Sequence, residues 1–170
     1  MNPYILTTPR LLIRQVSIED AGFILELLNE PEFIKYIGDK EIRNLNDAIN
    51  YIKTGPQKML KEHGFALHVV VLKESEQAIG FCGFLKRPVL PYPDLGFAFL
   101  QKYCGKGYGF EAAQAVLNYE IEHHNLDKVM AMTAIENPAS QALLTKLGFK
   151  FEQQKFIAGY DGEISIACYS

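Results

Sequence analysis

The apolar run Leu95-Gly-Phe-Ala-Phe-Leu100, the glycine-rich stretch Cys104-Gly-Lys-Gly-Tyr-Gly109 and an amphipathic pattern from Phe110 onward constrain this chain more than any other feature. In that order they read as a strand, a turn and a helix. Such a turn leaves several amide N–H groups unpaired at a helix N-terminus, where they and the helix dipole attract a phosphate or diphosphate. The chain therefore reads as a binder of a phosphorylated small molecule.

Spacing narrows the kind of phosphate site. A P-loop requires four residues between its glycines followed by Lys-Ser or Lys-Thr, whereas Lys106 lies between Gly105 and Gly107 and Tyr108 follows. A dinucleotide fingerprint fits formally in the register Gly107, Gly109, Ala112. It should, however, open the first βαβ unit, and here it falls past the middle of the chain. A dinucleotide-dependent oxidoreductase thus stands as a minor alternative.

With 170 residues, 48% apolar and 22% charged, the sequence suits one globular domain spanning residues 1–170. A net charge of −3 with scattered lysines gives no basic stripe, so no nucleic-acid partner is expected. Met1-Asn-Pro-Tyr4 lacks a basic leader, and no run approaches the roughly 18 apolar residues that cross a bilayer. The expectation is a soluble, cytoplasmic protein with no membrane partner. Cys82, Cys104 and Cys168 are widely spaced and form no C-x-x-C pair, so reduced thiols and no metal are expected.

Along the chain, Leu11–Val16 reads as a strand, and Ser17-Ile-Glu-Asp20 as a capping-box start for a helix to about Asn29. A short segment follows from Phe33 to Tyr36. Asn46 is expected to cap a second helix that Gly55-Pro56 kinks or splits. The runs Phe65–Leu72 and Gln77–Leu85 suit an antiparallel hairpin, and Pro88, Pro91 and Pro93 stiffen the loop before the Leu95 strand. After the helix from Phe110 come a strand at Val129–Thr133 and a helix opened by Asn137-Pro138 and ended by Gly148. The runs Lys150–Ile157 and Glu163–Tyr169 form a closing hairpin. The fold class is α/β, with a single mixed, mostly antiparallel sheet flanked by helices.

Strand, glycine turn, helix and strand, followed by Asn137-Pro-Ala-Ser140 and Lys146-Leu-Gly-Phe149, resemble the GNAT superfamily of acyl-CoA-dependent N-acyltransferases. The opening Leu6-Thr-Thr-Pro-Arg-Leu-Leu-Ile-Arg14, Asp20, and Gly107-Tyr-Gly-Phe-Glu-Ala112 are similar to its RimJ/RimL-like branch of ribosomal-protein N-terminal acetyltransferases. The resemblance implies acetyl-CoA as co-substrate, no metal, and a thioester lying between splayed Leu95 and Val129 strands. Phe97 and Phe99 would offer backbone groups to the pantetheine arm. Gly105, Lys106, Gly107, Tyr108, Gly109 and Phe110 would hold the diphosphate, with Lys102 and Lys106 adding positive charge. Asn137 would bond pantetheine, act as a helix cap, or do both.

Two positions depart from the family pattern. Cys104 replaces an arginine or glutamine at the start of the turn, which removes a side-chain contact but leaves the backbone amides. Leu144 stands where many members place a tyrosine that protonates the departing thiolate; Ser140 matches the serine that the RimL-like branch carries instead.

The acceptor amine must be neutral to attack. An α-amine with a pKa near 7.8 is roughly 14% neutral at pH 7, against about 0.04% for a lysine near 10.4. A weak base suffices for the first and hardly for the second. Asp94, entering the strand expected to carry the thioester, is the candidate base, with a plain turn role as its other reading. His68 reads as a core histidine, and His123 and His124 as residues of a last helical turn. Amides of a bulged strand near Phe99 would stabilise the oxyanion. Phe33 and Tyr36 would line the acceptor pocket or simply pack in the core.

The expected activity is direct acetyl transfer to a primary amine, either a protein or peptide N-terminal α-amine or a small molecule. A non-catalytic acyl-CoA-binding sensor is the rival from another class. Cys104 has no base partner in the sequence that would make it a covalent nucleophile. Oligomeric state is left open.

Overall fold

The computed structural model describes residues 4–170; Met1 to Pro3, where the expected absence of a leader begins, lie outside the described residues. The strands are β1 (Tyr4–Thr7), β2 (Leu11–Gln15), β3 (Leu67–Leu72), β4 (Gln77–Leu85), β5 (Asp94–Phe99), β6 (Val129–Ala134), β7 (Lys150–Phe156) and β8 (Glu163–Tyr169). They form one eight-stranded sheet in the order β1-β2-β3-β4-β5-β6-β8-β7. Only β5 and β6 run parallel; every other neighbouring pair is antiparallel. This is the mixed, mostly antiparallel α/β sheet that the sequence indicates.

Helices cover both faces. α1 (Ala21–Leu28), α2 (Pro31–Tyr36) and α3 (Leu45–Ile52) pack on one side against Val69, Val71 and Phe81. α5 (Tyr108–His124) and α6 (Pro138–Leu147) pack on the other against Ile13, Val70, Phe84 and Leu95. β3 is consequently buried along its whole length, which explains a sequence that is apolar except for His68. No helix among the described residues is long and apolar enough to cross a membrane.

Local signals account for most boundaries. Ser17 Oγ accepts from the Glu19 amide at 3.3 Å while Asp20 Oδ2 accepts from the Ser17 amide at 2.9 Å, which closes the expected capping box. Asp20 also takes both Arg14 nitrogens at 2.8 Å, so one carboxylate fastens β2 to the helix entry. The cap of α3 is Asn44 rather than Asn46. Its Oδ1 accepts from the Asp47 amide at 2.9 Å, which places Asn46 inside the first turn.

Gly55-Pro56 does not split the helical segment. A wide turn over Lys53–Gln57 absorbs the missing proline donor, and helical structure resumes as α4 (Lys58–His63). β1 escapes the sequence reading because it is a four-residue, exposed or half-buried edge whose apolar run, Tyr4 to Leu6, is too short to mark a strand. In the closing hairpin the apolar strand takes the interior place: Ile164 to Cys168 are buried in β8, whereas all of β7 is exposed at the edge.

At Gly83, opposite Leu67, an added Cβ would overlap the Ala66 carbonyl oxygen, whereas at Gly22, on the exposed side of α1, it would meet nothing. Gly83→Ala is therefore expected to cost about 3 kcal/mol and lower Tm by roughly 10 °C. Gly22→Ala should instead gain about 0.5 kcal/mol from helix propensity. Thermal denaturation of the two variants side by side checks the close β3–β4 approach, and equal Tm values would refute it.

Candidate functional site

The sheet is incomplete at its centre. β4 and β5 pair in unbroken register from Gly80↔Phe99 to Leu85↔Asp94. The Leu100 amide donates to the Ile79 carbonyl at 2.9 Å, so by antiparallel alternation Leu95, Phe97 and Phe99 turn their backbone groups away from β4, toward β6. Yet β6 meets β5 at one ladder position only, Asp94↔Met130, where the Met130 amide donates to the Pro93 carbonyl at 2.9 Å. The other edge of β6 pairs with β8 from Val129 to Ala134. A wedge therefore opens between β5 and β6 beyond Asp94. The bulge expected near Phe99 is not there: the β4–β5 register is continuous, and the unpaired groups arise from the departure of β6.

β5 leads into the glycine turn. Gly105 (φ 75°) and Gly107 (φ 83°) occupy the left-handed region, which any side chain would strain. α5 begins at Tyr108, two residues ahead of the expected start at Phe110, with Gly107 as the residue before it. The Cys104 amide donates to Gln101 and the Glu111 amide to Gly107. Among the described residues no hydrogen bond uses the amides from Gly105 to Phe110. These amides sit at the positive end of a 17-residue helix, an arrangement that binds anions. At Gly109 a Cβ would come within 3.1 Å of Leu143 Cδ1, so this glycine lets α6 approach close to the turn.

Sequence reasoning did not assign roles to Thr8, Arg10 or Glu111, although all three lie within the motifs quoted for the family resemblance. Thr8 Oγ1 and the Arg10 amide donate to Glu111 Oε1 at 2.6 and 2.8 Å, and Arg10 Nε donates to Oε2 at 2.7 Å. Arg10 Nη1 donates to the Lys106 carbonyl at 2.9 Å, and the guanidinium lies 4.5 Å from the Tyr108 ring centre. Burial works against the Glu111 charge, but the Thr8 and Arg10 hydrogen bonds outweigh it and hold the carboxyl below the usual range.

Asp94, at the apex of the wedge, is 1% exposed. Arg87 Nε donates to its two oxygens at 3.2 and 3.0 Å, and Arg87 Nη1 also donates to the Tyr160 hydroxyl. Burial pushes the Asp94 carboxyl up to about 6 against the opposing pull of Arg87. Burial likewise lifts the Tyr51 hydroxyl to about 12, with Arg87 again pulling down, and it holds the Lys40 ammonium below its ordinary value with Arg87 adding to the effect. One half-buried guanidinium thus bonds both the buried Asp94 carboxylate and the Tyr160 hydroxyl.

Asn137 Nδ2 donates to Ser140 Oγ at 3.0 Å, and Asn137 Oδ1 accepts from the Ser140 amide at 3.3 Å, so the cap role of Asn137 is realised at the start of α6. Leu144 is buried in the α5–α6 core. Phe33 is also core, edge-on to Phe81 with ring centres 6.2 Å apart, and its side chain is thereby taken up by packing. Tyr36 is half-buried beneath Lys35. Lys106 is exposed, and Lys102 lies 3.7 Å from Glu26 across an exposed pair of little energetic weight. His68 is buried, 3.3 Å from Glu120 on α5, away from the wedge. Burial, with help from Glu32 and Glu30, raises the Cys104 thiol, which disfavours it as a nucleophile.

Residues 10–150 match the acetyltransferase (GNAT) domain family. The uncharacterized N-acetyltransferase p20 of Bacillus licheniformis is 28% identical over 148 residues, covering 86% of this chain and 83% of the relative. The ribosomal protein uS5-alanine N-acetyltransferase of Escherichia coli is 28% identical over 156 residues, covering 86% and 78%. Among solved structures, the microcin C7 self-immunity acetyltransferase MccE, in complex with acetyl-CoA and AMP, superposes with a TM-score of 0.80 at 15% identity, covering 95% of this chain and 93% of that one.

Removing Arg87 leaves the Asp94 carboxylate buried without its partner. Arg87→Met is therefore expected to cost about 3 kcal/mol at pH 7.5, where Asp94 is ionised. Without the guanidinium the Asp94 pKa rises further, so the loss should shrink as pH falls through 6 and the carboxyl takes up a proton. Denaturant titrations at pH 5 and 7.5 read this out, and a loss independent of pH would contradict the ion pair.

Proposed function

Because the chain belongs to the acetyltransferase (GNAT) domain family, we propose that it transfers an acetyl group from acetyl-CoA to a primary amine, preferring an α-amino group or another amine of low pKa. The observation that carries this reading is the row of unpaired amides from Gly105 to Phe110 beside the β5–β6 wedge. The first offers a seat for a diphosphate and the second a channel for an extended arm, so the residues present fit the coenzyme. When bound, acetyl-CoA supplies the activated acetyl group as a thioester.

The rest is the work of the chain. Amides from Gly105 to Phe110 hold the diphosphate, and the free backbone groups of Phe97 and Phe99 pair with the amides of the arm. This extends β5 much as a strand would. Asp94 at the apex accepts the proton of the incoming amine. A carboxyl near 6 is ionised at neutral pH, and its pKa lies closer to that of an α-amine, about 7.8, than an ordinary carboxyl's does. Ser140 Oγ already accepts a hydrogen bond from Asn137 Nδ2, which leaves its own O–H free to donate a hydrogen bond that stabilises the departing thiolate until solvent protonates it. With Leu144 buried, no tyrosine is needed for that step, because a thiol of pKa about 8.5 is a tolerable leaving group. The non-catalytic sensor is not favoured, since the curated relatives named above are N-acetyltransferases.

Acetyl-CoA at about 100 times its Kd should stabilise the protein by about 2.7 kcal/mol, and NADH should not. With an α-amine acceptor, kcat/KM should rise with pH through about 6 as Asp94 ionises and level off as the amine loses its proton. Asp94→Asn should remove that limb and lower kcat/KM by roughly 10²-fold or more. Stabilisation by NADH alone, or binding of acetyl-CoA with no thiol release on any amine of a broad panel, defeats the proposal. An unchanged pH profile in Asp94→Asn defeats the assignment of the base.

A further inference from the structure

We infer that Arg10, which lies outside the wedge and the glycine turn, is a positioning residue that aims the anion-binding amides of the turn. This rests on the reading of the turn as a diphosphate seat. In a trans peptide the C=O and N–H of one unit point in opposite directions. Arg10 Nη1 holds the Lys106 carbonyl at 2.9 Å, so the Gly107 N–H on the same plane is turned away from the β1–β2 corner. The left-handed φ of Gly107 lets this plane face that way, and the guanidinium packs so close that a Cβ at Gly107 would lie 3.2 Å from Arg10 Nη2.

An acidic side chain in the first turn of a helix, here Glu111, is drawn to the same free amides and the same positive dipole end that an anionic ligand uses. Here both of its oxygens are occupied: Oε1 by Thr8 Oγ1 and the Arg10 amide, and Oε2 by Arg10 Nε. Arg10 therefore fixes the backbone of the turn and withdraws its internal competitor through one side chain. The contacts span about a hundred positions of sequence, from the corner after β1 to the start of α5.

A lysine at position 10 keeps the charge but cannot bond Glu111 and the Lys106 carbonyl together in the fork geometry of a guanidinium. Calorimetric titration of coenzyme A, and of pantetheine by competition, separates positioning from charge without needing an acceptor. Arg10→Gln and Arg10→Lys should each weaken coenzyme A about tenfold while changing pantetheine, which lacks the diphosphate, by less than twofold. Wild-type affinity for coenzyme A in Arg10→Lys overturns the inference, because charge alone would then suffice. Equal losses for both ligands also overturn it, since they report general damage. The Arg10 backbone amide still reaches Glu111 in these variants. Should Arg10→Gln nevertheless fail to fold, Thr8→Val should give the same split more weakly, and an unchanged split there overturns the inference. If the wild-type protein itself shows no preference for coenzyme A over pantetheine, the diphosphate reading fails rather than the role of Arg10.

Discussion

The single parallel ladder position between Asp94 and Met130 is the constraint on which the rest of this molecule depends. A buried sheet normally pairs every backbone donor and acceptor, because an unpaired one costs as much as a lost hydrogen bond. Here β6 leaves β5 after one contact, while its other edge pairs with β8 along its full length. The backbone of β5 is left facing a gap, and the glycine turn that follows leaves more amides free at the head of α5. Both sets of unsatisfied groups adjoin, so a ligand with an anionic head and an amide-bearing arm can satisfy them together. Stability forgone in the empty protein becomes affinity for such a ligand.

The apex of the wedge also joins the two faces of the sheet. Leu95, Phe97 and Phe99 belong to the side covered by α5 and α6, whereas Ala98 belongs to the side covered by α1 to α3. Asp94 alternates with Leu95 and so shares the second side, where Arg87 and Tyr160 gather around it. In the proposed reaction, coenzyme and acceptor would approach from opposite sides and meet at this carboxylate. That carboxylate is kept dry enough to hold a proton more tightly than usual and paired enough to remain an anion at neutral pH.

Much of this was legible in the sequence because it is local. The capping box at Ser17, the asparagine cap at 137, the glycine turn and the β3–β4 hairpin each rest on residues within a few positions of one another. The misreadings have physical causes. Asn44 and Asn46 are equally good caps on paper, and only the backbone bend decides between them. The free amides of β5 were ascribed to a bulge because residues near in sequence do not reveal that β6 diverges from β5 after one ladder position. Phe33 carries no sign that its ring faces Phe81 rather than a pocket. The Arg10–Glu111 pair is read only from the fold, since its members are 101 positions apart.

The two edges of β6 differ: β8 seals one along its whole length, whereas the other faces β5 and is paired at a single ladder position. An interior strand with an open edge carries the hazard that usually belongs to the rim of a sheet, because a stray extended segment can add to it by main-chain pairing. The brevity of the β5–β6 ladder thus gives the middle of this sheet the recognition chemistry of an edge.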